Sequence, residues 1–224
     1  MVGSLFVFTA AVAMVQPSSP EPMIAYPHPL ITEILYVVPT GSGGDANKDG
    51  MRSATGDEFI EIVNPHDRPI ELKGYVLEDR GLGRGQWRFE FPALQLAPGE
   101  VAVVFNGYEC AWKGPVGDSD LAPAGRNDAF NNAWVFTSRA ASTHTAWSNT
   151  GDHVLLRGPG GAALHLISWG EAGREAPPAA TIVEQLKNVT GASAYRKSVA
   201  APLEAHPAVE GVRFSPGVFP VLTK

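Results

Sequence analysis

The stretch Asp45-Ala-Asn47-Lys-Asp49-Gly50 puts side-chain oxygens at the first, third and fifth places of a turn and glycine at the sixth. Alternate residues of a tight turn aim their oxygens inward, which suits a hard cation held at about 2.3–2.6 Å. Glycine at the sixth place supplies the left-handed backbone that turns the chain back. Met51, at the seventh place, would offer its carbonyl, and Ser53, at the ninth, would hold a water. The twelfth place is Gly56, where the helical version of the loop has a bidentate glutamate; Asp57 or Glu58 would close the site only in a longer loop. The ion expected is calcium (Ca2+), with Asp45, Asn47, Asp49, Met51 and Asp57 as ligands. Its role would be structural, neutralising Asp45 and Asp49 and ordering a glycine-rich loop. The alternative is that the same side chains make only local turn hydrogen bonds.

A second constellation is basic. Arg80, Arg84 and Arg88 recur every four residues around a Gly-rich turn and Trp87. Arginine with an interleaved aromatic suits nucleic acid or another acidic polymer; a solvated hairpin tip is the plainer reading. The formal net charge of −6 disfavours a general grip on nucleic acid. The acidic stretches Gly117-Asp-Ser-Asp120 and Asn127-Asp128 raise a further alternative, a metal-assisted secreted nuclease or phosphoesterase. Against catalysis, no serine lies in a Gly-x-Ser-x-Gly turn and the six histidines are scattered. The single cysteine, Cys110, excludes an intramolecular disulfide framework and a zinc site built on several thiolates. No catalytic residue is assigned.

The elements that would carry these groups are strands. Glycine (24) and proline (19) are too frequent among 224 residues for a helical bundle, and 44% hydrophobic residues are too many for a disordered chain. Ile31–Val38, Asp57–Asn64, Gly74–Arg80 and Gln86–Phe91 read as strands, the last with Trp87, Phe89 and Phe91 on one side and Arg88 and Glu90 on the other. Val101–Asn106 is a continuous apolar run, as suits a central strand covered on both faces. Ala133–Ser138 is a further strand, and Gly158-Pro-Gly-Gly161 makes a hairpin of Asp152–Arg157 and Ala163–Trp169. Only Thr181–Asn188 could form a helix, of two turns. Glu58 and Glu61, three apart, fall on opposite faces of one strand. One of them needs a buried partner, for which Arg80, Arg88 and Arg196 are the candidates. Many strands with almost no helix give a β-sandwich or barrel.

Several fragments, in order, resemble the lamin tail domain family of the bacterial exported type: Ile31-Thr-Glu-Ile-Leu35, Gly44–Gly50, Gly56–Asn64, Ile70–Asp79, Leu96–Phe105, Asn149–Leu156 and Ser215-Pro-Gly217. The resemblance spans residues 29–217 and implies an all-β, immunoglobulin-like β-sandwich without a catalytic centre, serving as a binding or attachment module. In nuclear lamins such a domain contacts DNA and chromatin proteins; in bacteria it occurs in exported proteins. Residues 5–15 form an apolar run too short to span a bilayer as a helix but suited to a signal-peptide core, with Ala11-Val12-Ala13 as a cleavage site. Residues 1–22 are therefore expected to be a signal peptide and Pro-rich linker, and 218–224 a tail. The mature chain would have no transmembrane helix and would be secreted, periplasmic or at the cell surface, where its partner is an unknown protein or cell-surface polymer.

Overall fold

The computed structural model describes residues 21–81, 86–138, 147–171, 179–187 and 189–220. The apolar run at 5–15 and Arg84 lie outside them. The strands are β1 (Leu30–Leu35), β2 (Phe59–Val63), β3 (Ile70–Glu71), β4 (Val76–Asp79), β5 (Arg88–Glu90), β6 (Gln95–Leu96), β7 (Val101–Phe105), β8 (Trp134–Thr137), β9 (Gly151–Arg157), β10 (Ala163–Gly170), β11 (Ile182–Leu186), β12 (Ala194–Arg196) and β13 (Leu203–Ala205). One sheet runs β13-β12-β1-β2-β7-β8, a second runs β11-β10-β9-β4-β5, and β3 pairs with β6 alone. Neighbours are antiparallel except β7 with β8 and β10 with β11.

Register assigns the faces. Ile31 and Ile34 lie opposite Ile62 and Ile60, which continue the row to Ala102, Val104 and Phe136. Phe136 meets Phe89 and Phe91 of the second sheet at ring separations of 5.6 and 5.5 Å, so this row is the inner one. Tyr36 stacks on Trp169 at 4.1 Å across the same interior. The other row contains Leu35, Phe59, Glu61, Val63, Val103 and Phe105, and it too is buried, because the loops and the C-terminal segment lie over it. Strands β1, β2 and β7 are buried at every position, which is why they read as apolar runs rather than as alternating ones.

A register break between Ile31 and Glu33 inserts Thr32 as an extra residue in β1. Such a bulge re-aims side chains. Here Thr32 and Glu33 both serve the outer row, facing Glu61.

One expected element is different. Where a helix is expected over Thr181–Asn188, Ile182–Leu186 is edge strand β11, parallel to β10, and Asn188 lies outside the described residues. Ile182 and Leu186 are buried while Val183 and Gln185 are exposed, a period of two. An isolated two-turn helix gains little in water, whereas the open edge of β10 offers a full ladder to a β-branched Ile-Val pair. Among the described residues no helix is long and apolar enough to cross a membrane.

Candidate functional site

The β1–β2 connection is organised by its own side-chain oxygens. Asp45 Oδ1 and Oδ2 accept from Asp49 N (3.1 Å) and Gly50 N (2.9 Å), and Asn47 Oδ1 accepts from Asp49 N (2.9 Å). Asp49 Oδ1 accepts from Met51 N (2.7 Å), and its Oδ2 reaches Ala111 N (3.1 Å) on the facing loop. Gly50 has φ +100°, as its place in the turn requires, and Lys48 is also left-handed at +61°. The sequence spacing thus brings Asp45, Asn47 and Asp49 onto one turn. Each carboxylate oxygen that accepts an amide keeps a further lone pair, so Asp45, Asn47 and Asp49 are the residues that could hold a hard cation, while the bonds they make here are those of a side-chain-braced turn. Asp57 does other work. It is fully buried, and its oxygens accept from Asn47 N (2.8 Å) and Ser53 N (2.6 Å), bracing the loop from beneath. Burial, with the Asp45 charge adding to it, raises this carboxyl to about 6. The Met51 side chain is exposed. Among the described residues no three His, Cys, Asp or Glu side chains come together as a metal-holding group, so an ion here would rely on Asn47, carbonyls and water besides its carboxylates.

This loop is tied to the 107–132 stretch. Asn47 Nδ2 donates to Cys110 Sγ at 2.6 Å, Lys48 Nζ to the Ala129 carbonyl, and Lys113 Nζ to the Lys48 carbonyl at 3.2 Å. A Cβ on Gly56 would lie 2.4 Å from Cys110 Sγ, so glycine is needed for the two loops to meet. Burial, followed by the charges of Asp57 and Asp49, pushes the Cys110 thiol up to about 12, leaving it a packing residue. In the acidic stretches, Asp118 Oδ1 accepts from the amides of Asp120 and Leu121, and Asn127 caps the turn at Ala129.

The basic constellation does not assemble as a stacking surface. Trp87 is 2% exposed, packed edge-on against Trp147 at 4.9 Å, with Nε1 donating to Ser138 Oγ. Its alternation with Phe89 and Phe91 puts it in the core, and this corrects its expected role as a base-stacking aromatic. Arg88 is exposed and paired with Glu90 at 2.9 Å. Arg80 follows β4, next to Asp79, whose Oδ1 accepts from Gly81 N and Trp87 N, both at 2.9 Å.

Buried acids are the feature that sequence reasoning only half found. Glu58 and Glu61 do face opposite ways, and both are buried. Of their expected arginine partners, Arg88 and Arg196 pair elsewhere. Glu58 accepts from Asn106 Nδ2 (3.3 Å) and Trp147 N (3.4 Å), close enough to feel the charges of Asp152 and Asp79. Burial raises Glu58 well above its usual range and, with Asp152, lifts Asp79 to about 7. Glu61 accepts from Thr32 Oγ1 (2.7 Å) and Gly217 N (2.8 Å). Directly opposite it, Glu33 meets Ser193 Oγ (2.5 Å), Ser215 N (2.9 Å) and Ser215 Oγ (2.8 Å).

Arg196 is wholly buried on the inner side, where it bonds Glu184 Oε2 and the Ile31 carbonyl. Glu184 also takes Leu203 N (3.0 Å) and faces His165 Nε2 at 2.9 Å. This cluster links β10 and β11 of one sheet to β12 of the other. Burial alone would raise Glu184, but the His165 hydrogen bond and the Arg196 charge outweigh it and hold the carboxyl at about 2. Glu33, Glu184, His206 and Ser215 were not singled out as site residues from the sequence. The only signal was an acid within an apolar strand, at Glu33.

Two face-packed sheets joined by ordered polar loops define an immunoglobulin-like β-sandwich. Within that class, the chain belongs to the Lamin Tail Domain family, whose profile matches residues 25–171. That family consists of non-catalytic, immunoglobulin-like domains. A solved DUF4876 family protein from Bacteroides thetaiotaomicron is similar at 16% identity over 65% of this chain, with a TM-score of 0.34. This chain spans 45% of that protein's length. No curated protein matches. Strands β11, β12 and β13 lie beyond the matched range.

Proposed function

We propose that the protein is an extracytoplasmic interaction module. It would use the joined 39–57 and 107–132 loops to contact a protein or a cell-surface polymer, with calcium stapling the Asp45–Asp49 turn. The observation that carries this reading is the dual use of Asp49, which orders its own turn through one oxygen and holds the facing loop through the other. Neutralising Asp45 and Asp49 with a divalent ion would stiffen both loops at once. Export is supported by the apolar run and Ala11-Val12-Ala13, with residues 1–22 removed or linking, a sandwich over 29–217 and a tail at 218–224. N-terminal sequencing of the mature product tests it.

Titration calorimetry with calcium on the purified protein is the test of the staple. Binding in the millimolar range is expected, with a rise in melting temperature that Asp49→Ala abolishes. No heat and no melting shift with either protein would refute it. A plasmid-nicking assay with calcium, magnesium and manganese separates this reading from the nuclease alternative. No nicking is expected; nicking abolished by Asp45→Ala or Asp79→Asn would replace a binding module with an enzyme. With Trp87 buried and Arg88 paired, salt-sensitive retention on DNA is not expected.

A further inference from the structure

Glu33 and Glu61 stand directly opposite each other on β1 and β2, each 1% exposed. Side chains so placed have Cβ atoms within about 5.5 Å, where like charges repel. The groups that surround them are mostly neutral. From β12 comes Tyr195, its hydroxyl turned to Glu204 of β13 at 3.4 Å. From β7 comes Val103, opposite Glu61. From the covering segment come His206, Ser215 and Gly217, while Arg213 offers only its carbonyl, to Ser193. Lys48 lines a cavity of about 670 Å³ together with His206 and Ser215, but its ammonium is turned to the Ala129 carbonyl.

Hydrogen-bond direction fixes the proton count. His206 Nδ1 lies 2.6 Å from the Pro207 carbonyl, which can only accept, so Nδ1 carries hydrogen. Nε2 lies 2.9 Å from Ser215 Oγ. Ser215 Oγ lies 2.8 Å from Glu33 Oε2 and donates to it, which leaves the Nε2 contact needing a hydrogen on the imidazole. With the hydroxyl turned to Nε2 instead, a neutral imidazole accepts and the proton sits on Glu33 as a carboxylic acid. Both arrangements contain the same number of protons. Either way, the closed chain Glu33–Ser215–His206 holds one proton that an open segment need not keep.

We propose that the Glu33–Glu61 pair is a proton-operated latch for the covering segment 206–219, closed while the pair is protonated and released from the outer face of the sheet as both carboxyls ionise. The segment docks in one position. Gly217 has φ +89°, and a Cβ on it would lie 2.2 Å from the Phe130 carbonyl oxygen, so only glycine fits against that turn.

Burial supports the direction. It raises Glu33 to about 7, raises Glu61 well above its usual range with the Glu33 charge adding to it, and lowers His206. Once the segment opens, His206 returns toward its ordinary value near 6.5. Below that pH the proton given up by Glu33 passes to His206; above it the proton goes to water. The Glu33 arm of the latch therefore weakens above about pH 6.5, by up to tenfold in the opening constant per pH unit for each proton released.

Hydrogen exchange of the full chain, read peptide by peptide at about pH 5.5 and about pH 8.5 and corrected for intrinsic rates, tests this. Protection over 206–219 should fall by about threefold or more relative to protection over the β9–β10 hairpin. The double variant Glu33→Gln/Glu61→Gln should keep that protection at both pH values. Its amides present N–H to Ser215 and Thr32 while still accepting from Ser193 and Gly217. Equal protection of wild-type 206–219 at the two pH values, or the same loss in the double variant, would overturn the latch.

Discussion

Glu184 and Glu33 both fasten the C-terminal part of the chain to the sandwich, one inside it and one beneath the outer cover, and their neighbours tune them oppositely. Glu184 has Arg196 and His165 against it and is held at about 2; Glu33 has hydroxyls, an amide and another glutamate, and burial raises it to about 7. The same carboxyl group is thus a permanent anion in one place and a proton carrier in the other. What decides between them is whether the fold supplies a cation to offset desolvation. The signs of the pH dependence follow. Stability from Glu184 is full above its unfolded value near 4.5 and is lost as pH falls toward 2. Stability tied to Glu33 holds up to about pH 6.5, where His206 carries the proton in the open state, and is lost as pH rises through 7.

The sharpest way to break this contrast is to take away the cation. Arg196→Met should cost up to about 3–5 kcal/mol in urea unfolding, because it leaves the largely buried Glu184 without its cation, with only His165 and the Leu203 amide against it. Arg196→Met combined with Glu184→Leu should recover most of that loss, since replacing a buried pair by apolar side chains is often neutral. If the single variant is no worse than the double, the pair is not what links the sheets.

Gly217→Ala comes next. It forces a side chain onto the Phe130 carbonyl at a left-handed position, and about 1–3 kcal/mol of strain is expected. Limited proteolysis should then cut within 206–219 before it cuts elsewhere. Cleavage first in the 39–57 loop would show that the cover is not fastened through Gly217. The smallest effect is expected at the surface: Arg88→Ala removes an exposed pair and should change stability by less than about 1 kcal/mol.

The longer strands of the matched region were legible because their signals are local, whereas β3 and β6, of two residues each, were not read as strands. Period two in Gln86–Phe91 placed Trp87, Phe89 and Phe91 in the core, and the run Val101–Asn106 declared a strand covered on both faces. That same alternation argued against Trp87 as a surface aromatic. The C-terminal strands were not legible. β12 and β13 have three residues each, too few for any period to show, and β11 is a strand only because β10 leaves an edge open beside it.

The turn chemistry of Asp45, Asn47 and Asp49 could be read directly, since oxygens at alternate places act within a few residues. The Glu33–Glu61 pair could not. It depends on the bulge at Thr32, on antiparallel register, and on a Ser-Pro-Gly segment 182 residues from Glu33 in sequence. Arg196 stood out as a counter-ion in the sequence, yet it serves an acid that alternation alone did not mark as buried.

The most direct measurement is the melting temperature of the full chain between about pH 6.5 and about pH 8.5, for wild type and Glu33→Gln/Glu61→Gln. The histidines that burial lowers are neutral when folded and half protonated when unfolded at the lower edge of this window, a contribution that raises stability with pH in both proteins, so the difference between the two curves reports the raised pair. The wild-type melting temperature should fall relative to that of the variant as pH rises. Two parallel curves, or a variant that falls more steeply than wild type, would contradict the protonated pair beneath the C-terminal cover.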